Sequence, residues 1–154
     1  MTEFISNSPE ETENIGRELA RAIEKENKKF FIAMYGDLGA GKTVFVRGLS
    51  SVLSPTSRVK SPTFTIVNEY RRGKTPLFHF DLYRITDECE LDGFGFDEYL
   101  EGGNCIAEWS ENLHENLPEG AIKVKIEKLD ENRRRIAVEA DTNIEKYLEE
   151  GAGA

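Results

Sequence analysis

Residues 9–27 have the pattern of an amphipathic helix that buries one face. Apolar side chains recur there at helical spacing, at Ile15, Leu19, Ala22 and Ile23. The start has the expected signals: Ser8 suits the N-cap, Pro9 suits the first helical position, and Glu11 completes a capping box. We therefore predict a helix from Pro9 to about Asn27.

The next pattern is a strand, a glycine-rich loop and a helix. Residues 29–35, KFFIAMY, form a short apolar run bounded by a glycine, which is typical of a buried strand. Residues 43–53, TVFVRGLSSVL, place Phe45, Leu49, Val52 and Leu53 on one helical face. Between these two elements lies the loop GDLGAGKT, residues 36–43.

The remaining residues predict further strands and short helices. Residues 64–84 predict two strands around a turn at residues 71–75, and Phe78 and Phe80 lie on the face opposite to Leu77, His79 and Asp81. Residues 86–102 predict short helices, 103–109 a buried strand that ends in an acid, and 121–129 with 134–140 a hairpin. Residues 143–150 predict either a terminal helix or a frayed tail.

Together these elements predict an α/β fold with a mostly parallel sheet flanked by helices and a small antiparallel extension. A ligand should then lie at the carboxyl ends of the parallel strands. At 154 residues the chain corresponds to a single domain, residues 1–154.

Composition narrows the classes of function. The net charge of −9 argues against nucleic-acid binding through a general electrostatic field. No apolar run approaches the roughly 20 residues that cross a bilayer, and the first residues do not resemble a signal peptide. Cys89 and Cys105 lack metal-type spacing, so we expect two reduced thiols in a cytoplasmic protein. The basic cluster at residues 133–135 is either a solvated turn or a source of one arginine for a nucleotide.

The loop at residues 36–43 matches the phosphate-binding pattern G-x-x-x-x-G-K-[ST] at every fixed position. Its glycines allow positive φ, so that backbone N–H groups can cradle phosphate oxygens beside a helix N-terminus. Lys42 would reach the β- and γ-phosphates, and the Thr43 hydroxyl would bind Mg²⁺. The predicted nucleotide-binding residues of this segment are Gly36, Asp37, Leu38, Gly39, Ala40, Gly41, Lys42, Thr43 and Val44.

Two acids stand where they could complete such a site. Asp81 lies near the end of the strand LFHFD, and Glu108 ends the strand NCIAE. Magnesium is often held by one or two carboxylates together with phosphate oxygens. The alternative roles are a helix N-cap for Asp81 and an edge acid for Glu108. We interpret His79 as a satisfied structural or surface histidine rather than as a ligand or base.

Four segments in this order resemble one family. They are GDLGAGKT at residues 36–43, KSPTFTIVNEY at 60–70, HFDLYR at 79–84 and AEWSENL at 107–113. The chain resembles the bacterial TsaE family, also called YjeE, over about residues 11–117. This resemblance implies a small magnesium-dependent ATPase that is needed for threonylcarbamoyladenosine modification of tRNA. It implies slow hydrolysis that depends on the partner proteins TsaD and TsaB, with tRNA contacted only through their complex.

The resemblance also implies roles for individual residues. Lys42 and Thr43 match the family's phosphate and magnesium positions, Asp81 its essential acid, and Glu108 its Walker B-like metal acid. Trp109 matches a functionally important aromatic, although a core role remains an alternative. Further matches are Ser61, Pro62 and Thr63 in a switch-like loop, and Ser8, Glu10 and Arg134 near the base.

Two other functions fit the same loop. A small-molecule phosphotransferase would need an acceptor pocket and a lid, neither of which the sequence indicates. A scaffold protein would hold the nucleotide as a static ligand.

Overall fold

The computed structural model describes residues 1–26, 28–36, 40–56, 59, 67–83, 85, 88–93 and 95–152. The strands are β1 (Thr2–Ser6), β2 (Phe31–Tyr35), β3 (Val67–Tyr70), β4 (Leu77–Asp81), β5 (Asn104–Glu108), β6 (Ile122–Lys128) and β7 (Arg134–Glu139). The α-helices are α1 (Pro9–Glu26), α2 (Lys42–Leu53), α3 (Glu88–Gly93), α4 (Phe96–Gly102) and α5 (Thr142–Ala152). A 3₁₀ helix spans Ser110–Asn116.

The described strands form one sheet in the order β1-β7-β6-β2-β5-β4-β3. The four central strands, β6, β2, β5 and β4, are parallel. Antiparallel strands extend both edges: β7 and β1 follow β6, and β3 pairs with β4. The predicted mostly parallel sheet with an antiparallel extension is therefore confirmed.

Strand β1 was not predicted from the sequence. It pairs antiparallel with β7, and its buried positions include Thr2 and Ser6, whereas Ile5 is 50% exposed. The inward positions of β1 are Thr2, Phe4 and Ser6, and two of them are polar, so residues 2–6 lack the apolar alternation that predicts a strand.

The sheet separates two apolar layers. Alternate side chains of β2 enter opposite layers: Ile32 and Met34 pack with α1, α2 and α5, whereas Phe31 and Ala33 pack with α4. On β4, Phe78 and Phe80 lie in the α4 layer and Leu77 lies in the α1–α2 layer, as the pattern predicted. The layer that each side chain of β2 and β4 enters is thus known, and polar side chains of neighbouring strands can meet only when they lie on the same face of the sheet.

Helices α1 and α2 pack with their backbones in close contact. A Cβ added at Gly48 would lie 2.0 Å from the carbonyl oxygen of Glu13, and one at Gly16 would lie 2.4 Å from that of Phe45. Glycine at these two positions allows the approach, and this contact holds α2 against the body of the protein.

The start of α1 differs in one detail from the prediction. The Ser8 hydroxyl accepts a hydrogen bond from the Glu11 N–H at 3.1 Å, as expected for an N-cap. The Glu11 carboxylate, however, accepts from the N–H of Asn7 at 2.6 Å. The reciprocal half of the capping box therefore reaches one residue further back than predicted.

The C-terminal segment is helical, which resolves the alternative left open by the sequence. Ile144 and Leu148 of α5 are each 1% exposed and pack in the α1–α2 layer.

Within the ranges that the structure describes, no helix is both long and apolar enough to cross a membrane.

Candidate functional site

The candidate phosphate-binding loop begins where β2 ends and finishes at the start of α2. Gly36 has φ +147°, and a Cβ there would lie 2.5 Å from the carbonyl oxygen of Ile126. Gly41 has φ +100° and is the N-cap of α2 in the left-handed conformation. Both positions therefore require glycine, for the reason expected from the motif. The predicted residues Asp37, Leu38 and Gly39 lie outside the described residues.

Lys42 is the first residue of α2, and its side chain folds back over the loop. It is only 6% exposed. Its Nζ donates to the carbonyl oxygen of Gly36 at 2.8 Å and lies 4.4 Å from the centre of the Trp109 ring. A carbonyl and an aromatic face both attract the ammonium group, so these contacts hold its charge beside the loop.

Thr43 and Val44 follow Lys42 in the first turn of α2, and both are half-buried. The N–H groups of a first helical turn have no partner within the helix and carry the positive end of its dipole. Together with Lys42 they make this end of α2 suitable for an anion such as a phosphate.

Asp81 and Glu108 lie opposite each other at the carboxyl ends of the neighbouring parallel strands β4 and β5. The Leu82 N–H donates to the carbonyl oxygen of Glu108 at 3.1 Å, which extends the pairing past the strand end. The Asp81 Oδ1 accepts from the N–H of Tyr83 at 2.9 Å in a tight local turn. The structure thus brings the two predicted acids together.

The alternative roles of these acids do not describe what is observed. Asp81 closes a turn after β4 rather than capping a helix. Glu108 is 7% exposed and belongs to β5, which lies between β2 and β4, so it is not an edge acid.

Glu108 also belongs to a buried polar chain that the sequence analysis missed. Its Oε2 lies 2.6 Å from the Nε2 of His79, and the Nδ1 of that ring lies 3.3 Å from the hydroxyl of Tyr70. His79 is fully buried and hydrogen-bonded, as a structural histidine should be. The available signal was its place two residues before Asp81, on the same face of β4.

Trp109 directly follows Glu108 and takes a left-handed backbone conformation with φ +60°. Such a conformation is costly for a large residue, and residues strained in this way are often found at functional sites. The indole ring is half-buried, contacts Lys42 as described, and lies 4.9 Å from the ring of Tyr83. It packs partly on the α4 layer, as the core role predicts, and partly against the loop lysine; its functional role stays a prediction.

The residues after Trp109 tie the ends of β4 and β5 together. The Ser110 hydroxyl donates to the carbonyl oxygen of Ala107 at 2.7 Å. The Asn112 amide donates to the carbonyl oxygen of Leu82 at 2.7 Å. The segment AEWSENL is therefore a clamp that fixes the relative positions of the two acids.

Arg134 contacts the phosphate loop from the start of β7. Its Nε donates to the carbonyl oxygen of Ala40 at 3.0 Å, and its Nη1 donates to that of Asp130 at 2.8 Å. A small cavity of about 110 Å³ lies beside it, and its lining includes Ser8, Gly41, Val44 and Arg134. Glu10 is exposed and does not line this cavity. The structure thus brings Ser8 and Arg134 to the loop and leaves Glu10 outside.

A larger cleft of about 630 Å³ lies on the other side of the loop, against β6. Its lining includes Tyr35, Gly36, Ala40, Glu111 and Lys125. Burial raises the pKa of the Tyr35 hydroxyl above its ordinary value of 10.0, and the negative charge of Glu111 raises it further. The hydroxyl therefore stays protonated at neutral pH. The cleft volume is within the range of small-molecule sites.

The donors that could hold magnesium are the Thr43 hydroxyl and the carboxylates of Asp81 and Glu108. Across the described part of the chain, no group of three or more His, Cys, Asp or Glu side chains could hold a metal ion. This donor set does not form an all-protein metal cage, but hard oxygens of this kind fit magnesium that arrives with phosphate and water ligands. Ser61, Pro62 and Thr63 lie outside the described residues.

Comparison with known proteins gives a consistent picture. A family model described as threonylcarbamoyl adenosine biosynthesis protein TsaE matches residues 6–136. The tRNA threonylcarbamoyladenosine biosynthesis protein TsaE of Bacillus subtilis is 41% identical over 88% of this chain and 84% of its own length. The corresponding protein of Aquifex aeolicus is 38% identical over 90% of this chain and 96% of its own length. The crystal structure of Bacillus subtilis YdiB superposes with a TM-score of 0.76 at 33% identity, and the match covers 99% of this chain and 93% of that one.

Proposed function

The chain belongs to the TsaE family of threonylcarbamoyl adenosine biosynthesis proteins, and from this we propose that it is a magnesium-dependent ATPase that serves the threonylcarbamoyladenosine modification of tRNA. The relatives bear the pathway in their names. The nucleotide chemistry is inferred from the site of this chain.

One observation carries the proposal. The loop has two glycines at positive φ and a lysine, and it lies with two carboxylates at the carboxyl ends of the parallel strands. Because side chains alternate along a strand, Asp81 shares the face of Leu77, and Glu108 shares that of Ile106. Leu77 and Ile106 pack in the layer of α2, so both acids face the side on which the loop ends.

Catalysis by such a site consists of positioning and electrostatic stabilisation. The loop N–H groups and Lys42 bind the phosphates, for which the ammonium of Lys42 leaves the Gly36 carbonyl. Asp81 would orient the attacking water. Glu108 and the Thr43 hydroxyl would hold magnesium, which supplies positive charge to the phosphate oxygens when bound.

We propose that TsaD and TsaB are the partners and that they accelerate hydrolysis, as the resemblance of the four motif segments implies. Contact with tRNA then occurs through the complex, because a chain with a net charge of −9 repels a polyanion overall. The nucleotide cycle would reset the complex of TsaD and TsaB between turnovers, and this chain would not itself transfer the threonylcarbamoyl group.

A reconstituted tRNA modification reaction tests the proposal. Wild type, Lys42→Ala and the matched control Lys28→Ala are compared for modified tRNA formed over many turnovers. Lys28 is an exposed lysine that lies before β2, at the opposite end of that strand from the loop. Loss of modification with Lys42→Ala alone would support the ATPase function. Normal modification with Lys42→Ala would overturn it, because the reaction would then need neither ATP hydrolysis nor a nucleotide held by Lys42.

A further inference from the structure

Three polar side chains from three adjacent strands form a buried hydrogen-bonded chain, which ends at the candidate magnesium ligand Glu108. They are Tyr70 on β3, His79 on β4 and Glu108 on β5, with exposed fractions of 7%, 0% and 7%. Tyr70 packs in the α1–α2 layer, and the parity of β4 and β5 places His79 and Glu108 on that same face. The hydrogen-bonded chain therefore lies on the α1–α2 side of the sheet, which is the side of the candidate site, and not on the α4 side.

The chemistry of the groups assigns the direction of the bond between His79 and Glu108. An ionised carboxylate only accepts, so the Nε2–H of His79 donates to the Glu108 Oε2 at 2.6 Å. The Nδ1 of the same ring lies 3.3 Å from the Tyr70 hydroxyl, and a hydroxyl can either donate to it or accept from it. Both ring nitrogens are thus engaged, and the Oε1 of Glu108 is the carboxylate oxygen that this bond leaves for other partners.

Stability alone gives little reason for such a chain. Taking the Glu108 carboxylate out of water costs free energy, and the hydrogen bond from His79 offsets this cost rather than adding a large net stabilisation. A hydrogen bond that fixes the rotation of a carboxylate, in contrast, is the usual support of a metal-binding acid.

We propose that His79 is a positioning residue for Glu108, and that Tyr70 in turn orients His79. The bond to Oε2 fixes the carboxylate so that Oε1 can act toward the magnesium-bound nucleotide without prior rearrangement. This inference rests on the proposed function, because it gives Glu108 a role in magnesium-dependent nucleotide binding.

A matched pair of polar substitutions tests the proposal. In His79→Gln the side-chain amide nitrogen takes about the place of Nε2 and can still donate to Glu108. In His79→Asn the amide is one carbon shorter and falls near Nδ1, so it does not reach. Phe80→Leu is the structural control, since Phe80 is the fully buried neighbour on the opposite face of β4.

Two quantities are measured for each protein: the magnesium concentration that half-saturates binding of a fluorescent ATP analogue, and kcat and KM for hydrolysis with TsaB and TsaD. For His79→Asn we expect a roughly 10- to 100-fold higher magnesium requirement and a lower kcat with little change in KM at saturating magnesium. His79→Gln should recover most of the loss. Tyr70→Phe should shift the magnesium requirement in the same direction by a smaller factor, and Phe80→Leu should leave it unchanged.

The outcomes separate this inference from the proposed function. If wild type binds no ATP analogue at any magnesium concentration, the proposed function fails, and the inference fails with it. If wild type binds and hydrolyses ATP but folded His79→Asn has an unchanged magnesium requirement, only the positioning role is overturned. If His79→Asn does not fold, Tyr70→Phe decides: an unchanged magnesium requirement contradicts the proposal, and an increased one supports it.

Discussion

At the scale of the residue, the candidate site depends on side chains that are held by specific neighbours rather than by the loop alone. Lys42 rests on the Gly36 carbonyl and the Trp109 ring. Asp81 is held by its own turn, and Glu108 by His79. When a nucleotide binds, Lys42 should leave the Gly36 carbonyl, whereas His79 should keep its bond to Glu108. Each of these contacts can be tested by changing a single residue.

Trp109 should report nucleotide binding, because it is the only tryptophan in the chain and Lys42 lies on its ring. When Lys42 turns to the phosphates, the ring loses a cation at 4.4 Å, so we expect a saturable change in tryptophan emission as ATP is added. Lys42→Ala should show no such change. Constant emission in wild type, at ATP concentrations that calorimetry shows to be saturating, would contradict the assigned role of Lys42.

The two cysteines should differ sharply in reactivity. Burial raises the pKa of the Cys105 thiol to about 12, against which the charge of Lys29 has only a small opposing effect. At pH 8 the thiolate fraction is then on the order of one in ten thousand. Iodoacetamide should label only the exposed Cys89 in the native protein and both cysteines in urea, as measured by mass spectrometry. Equal labelling of both thiols in the native protein would show that Cys105 is not buried as described.

The same raised pKa predicts a loss of stability in alkali. The unfolded thiol ionises near pH 9 and the folded one near pH 12. Because ionisation between these values favours the unfolded chain, the contribution of Cys105 is intact below pH 9 and declines as the pH rises toward 12.

Sequence reasoning at this scale agrees with the structure where the information is local. The motif predicted the positive φ of Gly36 and Gly41 and a helix that begins near Lys42, and the period of a strand predicted the shared face of His79 and Asp81. The bond between His79 and Glu108 was not predictable in this way. It depends on which strand lies next to β4 and in what register, and that is decided by the packing of the whole sheet.

At the scale of the element, the strongest signals were the amphipathic helices and the apolar central strands. Helices α1 and α2 and strands β2 and β5 lie close to the predicted positions because each combines a clear period with a turn or cap. Strand β1 and the 3₁₀ helix at Ser110–Asn116 were missed. The first buries polar residues, and the second is determined by the turn at Trp109 and its contacts with β4 and β5.

The α1–α2 contact gives a prediction about stability. In Gly48→Ala the new methyl would meet the Glu13 carbonyl at 2.0 Å, and since this is backbone, the two helices must separate. We expect the free energy of unfolding to fall by about 1–3 kcal/mol, despite the better helix propensity of alanine. Urea denaturation followed by circular dichroism measures this.

Gly93→Ala is the control for that experiment. Gly93 is the last residue of α3, and an added Cβ there meets nothing within 4 Å. Its unfolding free energy should stay within about 1 kcal/mol of wild type, on the stabilising side. Equal effects of the two substitutions would mean that the helices do not approach as closely as described.

At the scale of the whole molecule, the sheet order explains why the site is where it is. Strand β2 leads into the candidate phosphate-binding loop and lies next to β5, and β5 lies next to β4. The loop and both acids therefore meet at the carboxyl ends of these strands. The class of fold and this location of the site were predictable from the alternation of helices and strands. The strand order was not, because it depends on contacts between residues that are far apart in the chain.

The acidic character of the whole chain bears on its partners. With a net charge of −9, the protein has no general electrostatic attraction to a polyanion such as tRNA, which agrees with the proposal that it acts on tRNA through other proteins. The central proposal is that this site hydrolyses ATP and that TsaD and TsaB control the rate.

The most direct test is steady-state ATP hydrolysis by the purified protein, alone and with TsaB plus TsaD, for wild type and Asp81→Ala. We predict slow hydrolysis by wild type alone, strong stimulation by the two partners, and loss of that stimulated activity in Asp81→Ala even though the variant still binds ATP. Full partner-stimulated hydrolysis by Asp81→Ala would contradict the role of Asp81. If wild type binds ATP but is not stimulated, the claim of a partner-controlled ATPase is wrong.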